Sequence, residues 1–149
     1  MRKIFLLSCT SRKAQGTLPA RELYTGWSFK RGLQYAQQQG ADEIYILTKD
    51  PEHPVVELDT LISFYEGEAP RKMKDSKKHL LATRRLAELE RLGCNLKEDE
   101  FIFMTSKHFF AYMLAGRPGA LPNAIQHYQT PLEGLNIIDI TKFYKNNLK

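Results

Sequence analysis

The strongest constraint on the fold is a strand–helix–strand pattern in the first third of the chain. Residues 2–8 form an almost continuous apolar run, which is typical of a strand covered on both faces of a sheet. A helix is predicted over residues 28–39, where apolar side chains recur at helical spacing, and Gly40 stands where glycine commonly ends a helix. Residues 43–48 follow as a second strand. This succession predicts a right-handed crossover between two parallel strands.

The later segments predict further strands and helices around that unit. Residues 49–74 contain three prolines, so no long regular element is expected there, and residues 55–63 are either a short strand or an ordered loop. Residues 100–105 are predicted as a third strand, residues 109–114 as a short helix, and residues 136–145 as a final helix or strand–helix tail. The whole 149-residue chain is therefore expected to form one compact α/β domain, with a mostly parallel sheet flanked by helices.

The clearest helix of the sequence covers residues 75–92, and Gly93 ends it. Its apolar face is made of leucines: Leu80, Leu81, Leu86, Leu89 and Leu92. Its opposite face is largely basic: Lys77, Lys78, Arg84, Arg85 and Arg91. The pattern predicts that the leucines pack on the rest of the domain, away from the basic face.

Composition indicates an intracellular globular protein. A hydrophobic fraction of 42% and a charged fraction of 26% exclude wholesale disorder. No stretch approaches the roughly 20 apolar residues that a membrane-spanning helix needs. The two cysteines, Cys9 and Cys94, lie far apart, which favours a reducing compartment over a disulfide scaffold. We therefore expect a soluble, cytoplasmic protein with no membrane partner.

The loop after the first strand is the first candidate site. In open parallel α/β sheets, ligands bind beyond the carboxyl ends of the strands, and hydroxyl and cationic side chains there suit an anion. The sequence lacks the glycine-rich pattern of a P-loop. The alternatives are a polar turn with two solvated bases and, for the thiol, either a nucleophile of lowered pKa or a small buried cysteine. The candidate phosphate-binding residues of this loop are Ser8, Cys9, Ser11, Arg12 and Lys13.

Two other segments carry candidate functional groups. Arg21 and Tyr24 are three residues apart, so one turn of helix places them on one face, where they suit a phosphate or a stacked base. The alternative is an ion pair of Arg21 with Glu22 at the surface and Tyr24 in the core. Glu66, beside Tyr65 in a proline-bounded loop, is either a general acid/base that orients water or a solvated carboxylate.

A basic stretch leads into the long helix. Cations at a helix N-terminus oppose the helix dipole, so a nucleic-acid backbone is one reason for them, and a solvated lead-in is the alternative. The net charge of +5 favours phosphate-bearing partners but is also common in proteins that bind none. The four histidines show no metal-binding spacing, so neither a metal nor a cofactor is expected. The candidate nucleic-acid-binding residues are Arg71, Lys72, Lys74, Lys77 and Lys78.

Several of these segments together resemble a known family. Residues 8–13, 19–25, 58–66 and 131–136 are similar to motifs of small bacterial and phage proteins of uncharacterised function, distantly similar to the YaaA peroxide-stress family. Two departures stand out: residues 48–53 replace a Ser-Ala-Lys-x-Gly-Leu run, and the middle motif has Phe and Glu where Pro and Asp are usual. The resemblance implies a compact α/β fold and an association with DNA or modified nucleobases.

The resemblance also implies that four residues lie near the first loop: Arg21, Tyr24, Tyr65 and Glu66. The leading hypothesis is then an enzyme that acts on a nucleotide or nucleic acid at an N-glycosidic bond, with Tyr65 and Glu66 as catalytic residues. The second is a non-enzymatic DNA-binding protein of a stress response or of phage defence, which binds through the basic stretch with Arg84 and Arg85. The third is a module that binds a small molecule or a partner protein. The sequence leaves the oligomeric state open.

Overall fold

The computed structural model describes residues 1–9, 13–66, 72–105 and 124–149 of the chain. Its strands are β1 (Lys3–Ser8), β2 (Thr17–Pro19), β3 (Glu43–Leu47), β4 (Val55–Glu57), β5 (Leu61–Ser63), β6 (Glu100–Met104) and β7 (His127–Gln129). Its helices are α1 (Ala20–Leu23), α2 (Trp27–Gln38), α3 (Asp75–Arg91) and α4 (Ile137–Asn147). Within the described residues, no helix has both the length and the apolar character required to cross a lipid bilayer.

The main sheet has five strands in the order β4-β3-β1-β6-β7. β1 pairs in parallel with β3 on one side and with β6 on the other, and β7 continues the parallel arrangement beyond β6. β4 is antiparallel and forms the edge beside β3. A separate antiparallel ribbon joins β2 to β5. The predicted fold class, an α/β fold with a mostly parallel sheet flanked by helices, is confirmed.

The first strand–helix–strand unit follows the sequence pattern closely. The four apolar residues of β1, Ile4–Leu7, are all buried, as the continuous run predicts. α2 begins and ends one residue before its predicted bounds, and Gly40 has a φ of +71° after its last turn, which a residue with a side chain rarely adopts. A Cβ at Gly32 would lie 3.3 Å from the Tyr144 hydroxyl oxygen and 3.4 Å from Leu7 Cδ2, so glycine lets α2 pack closely against both α4 and the sheet. The predicted parallel pair is β1 with β3.

The long helix α3 faces the core differently from the leucine pattern. Leu80, predicted on the apolar face, is 42% exposed, and Arg85, predicted on the basic face, is completely buried. Leu81, Arg85 and Leu89 are four residues apart and therefore share one side of the helix, which is the side that packs inward. The prediction was wrong for Arg85 because charge patterning alone gives no information about a buried arginine that finds a hydrogen-bond acceptor.

Three further outcomes concern shorter elements. Residues 55–63, predicted as a short strand or an ordered loop, contain two strands, β4 and β5, which belong to different sheets. β7 has three exposed residues and no apolar run, so no local pattern there indicates a strand. The tail is a helix, α4, and the Asn136 side chain caps it by accepting a hydrogen bond from the Asp139 N–H at 2.9 Å. The helix predicted over residues 109–114 lies outside the described residues.

Candidate functional site at the carboxyl end of the sheet

The site lies at the carboxyl ends of β1 and β3. Ser8 and Leu47 are partners at the last register position of these parallel strands, so Cys9 and Thr48 stand together just beyond the sheet. The Cys9 N–H donates a hydrogen bond of 3.1 Å to the Leu47 carbonyl and continues the pairing by one step. β1 lies between β3 and β6. From β1 the chain passes to β3 on one side, and it later crosses to β6 on the other side of β1. Such a switch point is where open α/β sheets bind ligands.

The ribbon of β2 and β5 brings two tyrosines to this edge. The Phe64 N–H donates to the Gly16 carbonyl at 3.0 Å, which continues the ribbon and places the neighbouring Tyr65 over the strand ends. The Tyr24 and Tyr65 hydroxyl oxygens are 2.7 Å apart, and either hydroxyl can donate. The structure therefore brings together two residues that lie 41 positions apart in the sequence.

The Cys9 thiol is buried beside Tyr65. Burial raises the pKa of Cys9, while the positive charges of Lys49, Arg85 and Lys13 and a hydrogen bond with the Tyr65 hydroxyl act in the opposite direction without overcoming it. Cys9 is therefore a protonated thiol at neutral pH, and the geometry favours the small buried cysteine over the activated nucleophile. The same effects show that the charges of Lys13, Lys49 and Arg85 all act on this one thiol.

Both tyrosines are protonated at neutral pH. Burial raises the pKa of Tyr65, and the nearby Cys9 sulfur adds to the effect, while hydrogen bonds from Tyr24 and from the Lys49 backbone N–H oppose it. Burial also raises the pKa of Tyr24, which is completely shielded from solvent. Two neutral phenols in contact supply hydroxyl protons to an acceptor rather than acting as bases.

Lys13 lies across the aromatic rim of the site. Its Nζ is 4.8 Å from the centroid of the Tyr65 ring and 5.7 Å from that of Phe64, within the range of a cation–π interaction. Burial lowers the pKa of Lys13, and the positive charge of Lys49 lowers it further, whereas Cys9 and Glu66 act in the opposite direction. Two lysines are thus close enough to repel each other at this rim.

Arg85 is the functional candidate that sequence reasoning placed on the wrong surface. It is completely buried, and its Nη2 donates a hydrogen bond to the Thr48 carbonyl just past the end of β3. Burial lowers the pKa of Arg85 to about 10, so the guanidinium remains charged at neutral pH. The sequence contained one signal for this position, since Arg85 stands midway between Leu81 and Leu89 on one row of the helix.

We call these residues the cationic cluster: Cys9, Lys13, Tyr24, Lys49, Tyr65 and Arg85. Of the other predicted loop residues, Ser8 is half-buried and donates its hydroxyl proton to the Cys9 carbonyl at 3.2 Å. Ser11 and Arg12 lie outside the described residues. Glu66 is exposed at the rim, where its charge acts on Lys13.

Arg21 has different partners from Tyr24. Its Nε is 2.9 Å from an Asp59 carboxylate oxygen, and its backbone N–H donates to the Leu58 carbonyl at 2.8 Å. The side chain lines a cleft of about 440 Å³ that it shares with Asp42 and Glu57. The structure therefore brings Tyr24 to the cationic cluster and directs Arg21 to an acidic cleft, and Arg21 pairs with Asp59 instead of Glu22.

The basic stretch before α3 is described in part. Lys72 and Lys74 are exposed, whereas Lys77 and Lys78 are half-buried, and Lys78 Nζ lies 4.0 Å from an Asp75 carboxylate oxygen. Arg71 lies outside the described residues.

Arg84, grouped with the basic stretch in the second hypothesis, lies 3.6 Å from a Glu52 carboxylate oxygen and donates to the Pro51 carbonyl at 3.0 Å. Together with the burial of Arg85, this pairing makes the exposed basic surface smaller than the sequence predicts. In the part of the chain that the structure describes, His, Cys, Asp and Glu side chains form no group of three that is placed to hold a metal ion.

Comparisons with known proteins place the chain in a family. No curated protein and no solved structure matches it. The model of a family of unknown function, DUF6884, matches residues 4–146. The expectation of an uncharacterised family that covers nearly the whole chain is confirmed. Because this match extends from β1 into the last turn of α4, the chain belongs to the DUF6884 family of unknown function.

Proposed function

We propose that the cationic cluster binds the phosphate of a nucleotide, either free or at the end of a nucleic acid. The observation that carries the proposal is that the positive charges of Lys13, Lys49 and Arg85 all act on the Cys9 thiol at the carboxyl end of the sheet. Cations held close together raise each other's energy, and a bound anion relieves this repulsion. A phosphate also accepts several hydrogen bonds at once, as the donors here would allow.

The aromatic groups at the rim favour a nucleotide over inorganic phosphate. Phe64 and Tyr65 are both half-buried, so part of each ring is accessible next to Lys13. Aromatic faces of this kind stack on nucleobases, and the protonated Tyr65 hydroxyl can donate to a base or sugar oxygen. The cations thus suit the phosphate of a nucleotide, and the aromatic rings suit its base.

The reaction that suits this arrangement is hydrolysis of the N-glycosidic bond. Glu66 stands exposed beside Lys13 and would accept a proton from water as the water oxygen bonds to C1′ of the sugar. The bond from C1′ to the base nitrogen breaks, that nitrogen takes up a proton from solvent, and Glu66 then releases the proton of the attacking water to solvent. Tyr65 would donate a hydrogen bond to the departing base. The resemblance to the peroxide-stress family adds the expectation that the ligand belongs to DNA metabolism.

Binding is tested with nucleoside monophosphates titrated into the purified protein and followed by calorimetry. Lys49→Gln is expected to weaken binding about 10-fold, since each charge-assisted contact contributes roughly 1.5 kcal/mol. Lys97→Gln, which removes an exposed lysine beyond the end of α3, is the matched control and should leave the affinity unchanged. Equal affinities of Lys49→Gln and Lys97→Gln would reject the cluster as the phosphate site.

The reaction is tested by following the release of free base from nucleosides, nucleotides and oligonucleotides by chromatography. Glu66→Gln should abolish the release while nucleotide binding stays within about 2-fold, because the amide keeps the size but cannot accept the proton. Glu98→Gln, an exposed carboxylate elsewhere, is the control. Unchanged turnover by Glu66→Gln would exclude Glu66 as the catalytic carboxylate.

A second candidate function is non-enzymatic DNA binding through the basic stretch. The exposure of Lys72 and Lys74 ahead of α3 favours it. Reversing both charges to glutamate should then weaken duplex DNA binding and flatten its dependence on salt, while Lys49→Gln has no effect. Binding that is insensitive to salt would reject this function.

A further inference from the structure

A groove between α2 and α4 forms a second concave surface, distinct from the cationic cluster. It encloses about 590 Å³, and its walls are Trp27, Arg31 and Gln34 on one helix and Tyr144 and Lys145 on the other. The last residue of the chain closes one end, since its backbone N–H donates to the Gln38 side chain at 3.2 Å. None of these groups takes part in the phosphate site described above.

The aromatic wall of the groove is exposed yet fixed in position. Trp27 is 43% exposed, although it is the largest aromatic side chain in the protein and the only tryptophan. Its ring meets that of Tyr144 at 6.4 Å with an angle of 86°, the edge-to-face arrangement that aromatic pairs prefer. Tyr144 is itself buried, so it supports the indole from the core side. The indole is thus held ready to stack on a flat partner.

The charged side chains that line the groove are all cationic. Residues 23–41, which include α2, and residues 140–149, which include most of α4, contain neither aspartate nor glutamate. The same two stretches carry five cations: Lys30, Arg31, Lys142, Lys145 and Lys149. Arg31 and Lys145 both line the groove and are exposed. A partner that fits must be anionic along its length and must also present a flat ring to Trp27.

We propose that this groove binds single-stranded nucleic acid, with one base stacked on Trp27 and the adjoining phosphates beside Arg31 and Lys145. Single strands expose base faces that a duplex keeps stacked inside, and aromatic side chains flanked by cations are the usual platform for them. The groove lies next to the cationic cluster along the chain, because Trp27 follows Tyr24 by three residues. Binding of a single strand in the groove nevertheless does not depend on a ligand in the cationic cluster.

The test uses the intrinsic fluorescence of the single tryptophan. Unlabelled oligo(dT) and oligo(U) of about 10 nucleotides are titrated into the full chain, a length within the usual range of such sites. Stacking should quench the Trp27 emission, and the affinity should fall as salt rises, because phosphate contacts release counterions. The same affinity should appear when a fluorescently labelled oligonucleotide is followed by anisotropy.

Variants then assign the binding to the groove. Trp27→Ala should weaken oligonucleotide binding at least about 5-fold, as expected from the loss of one stacked base. Arg31→Glu with Lys145→Glu should weaken it about 10-fold or more. Lys97→Glu reverses one exposed charge outside the groove and should leave the affinity unchanged, and circular dichroism checks that each variant is folded. Trp27→Phe should retain part of the affinity because the smaller ring still stacks.

Three outcomes would overturn the proposal. The first is the absence of quenching at saturating oligonucleotide. The second is quenching by phosphatidylserine vesicles but not by oligonucleotides, which would identify a lipid surface as the partner. The third is loss of oligonucleotide binding in Lys49→Gln but not in Trp27→Ala, which would place the strand at the cationic cluster and leave the proposed function standing without the groove.

Discussion

The two ends of the parallel sheet differ in how their charged side chains are paired. At the amino end, Arg2 lies 3.3 Å from Asp99 and 3.8 Å from Glu43, and it donates to the Gly93 carbonyl at 2.8 Å. Asp99 also accepts a hydrogen bond of 2.8 Å from the Asn95 N–H. At the carboxyl end, the cationic cluster gathers three positive charges around a neutral thiol, with the exposed Glu66 at its rim.

The comparison separates charges that stabilise the fold from charges that we propose bind a ligand. At the amino end Arg2 pairs with the buried Asp99, so this contact contributes to the stability of the fold. At the carboxyl end the positive charge exceeds the negative charge of the described neighbours. We expect removal of a charge to lower stability at the first end and ligand affinity at the second.

The largest effect is expected for Asp99→Ala. The side chain is only 8% exposed and accepts hydrogen bonds from Arg2 and Asn95, so its removal leaves several donors without an acceptor. The free energy of unfolding should fall by about 3 kcal/mol. Urea denaturation measures it, and nucleotide affinity should not change. A loss below about 1 kcal/mol would contradict the structural role of the amino end.

Arg85→Met should show the opposite behaviour. Methionine fills the same space without a buried charge, and the gain from the missing desolvation offsets the lost bond to the Thr48 carbonyl, so stability should change by no more than about 1 kcal/mol. Nucleotide affinity should fall about 10-fold with the loss of the positive field. Calorimetry and urea denaturation, with Leu89→Met as the control on the same helix face, separate the two effects. A large loss of stability with unchanged affinity would make Arg85 a structural residue.

The tyrosine pair should show a coupling that belongs to the cluster itself. Tyr24→Phe and Tyr65→Phe should each cost about 1 kcal/mol, because each removes the hydrogen bond between the two hydroxyls. The double variant should cost less than the sum, since the bond that the two residues share is lost only once. Thermal denaturation of the four proteins gives the coupling, and Tyr128→Phe on the exposed β7 is the control. Strict additivity would mean that the hydroxyls do not interact in solution.

The smallest effect is a pH dependence that belongs to the amino end. Burial alone would raise the pKa of Asp99, but hydrogen bonds from Asn95 and Arg2 and the charge of Arg2 outweigh it and lower the pKa. A carboxyl whose pKa is lower in the folded chain contributes stability above its unfolded value near 4, and this contribution is lost as the pH falls through the folded value. Asp99→Asn should therefore lose less stability than the natural chain between pH 5 and about pH 3. Identical slopes would contradict the shift.

Sequence reasoning predicted the elements whose own residues show a local pattern of buried and exposed positions. β1 and α2 were placed to within one residue, because a continuous apolar run and a helical stripe ended by Gly40 are local signals. β7 was missed since its three residues are all exposed. Arg85 was misplaced because its burial depends on the position of the end of β3. No local pattern around Arg85 predicts that position.

The candidate site shows the same limit. The loop after β1 was located from the rule that ligands bind at strand ends, which needs only the order of the elements. The contact of Tyr24 with Tyr65 depended on the family resemblance, because two three-residue strands, β2 and β5, are too short to predict from sequence. Lys49 was overlooked because a single lysine after a strand has no distinguishing neighbours.

The ribbon of β2 and β5 has a consequence for how the protein reaches its native state. The hydroxyl contact that it supports joins residues 41 positions apart, and α2, β3 and β4 all lie between them. The ribbon buries little, since its two strands have three residues each and only Ile62 among them is buried, so we expect it to form late in folding and to open early. A ligand that binds only the closed form would add its binding free energy to this last step. The abundance of folded protein in a cell would then follow the concentration of its ligand.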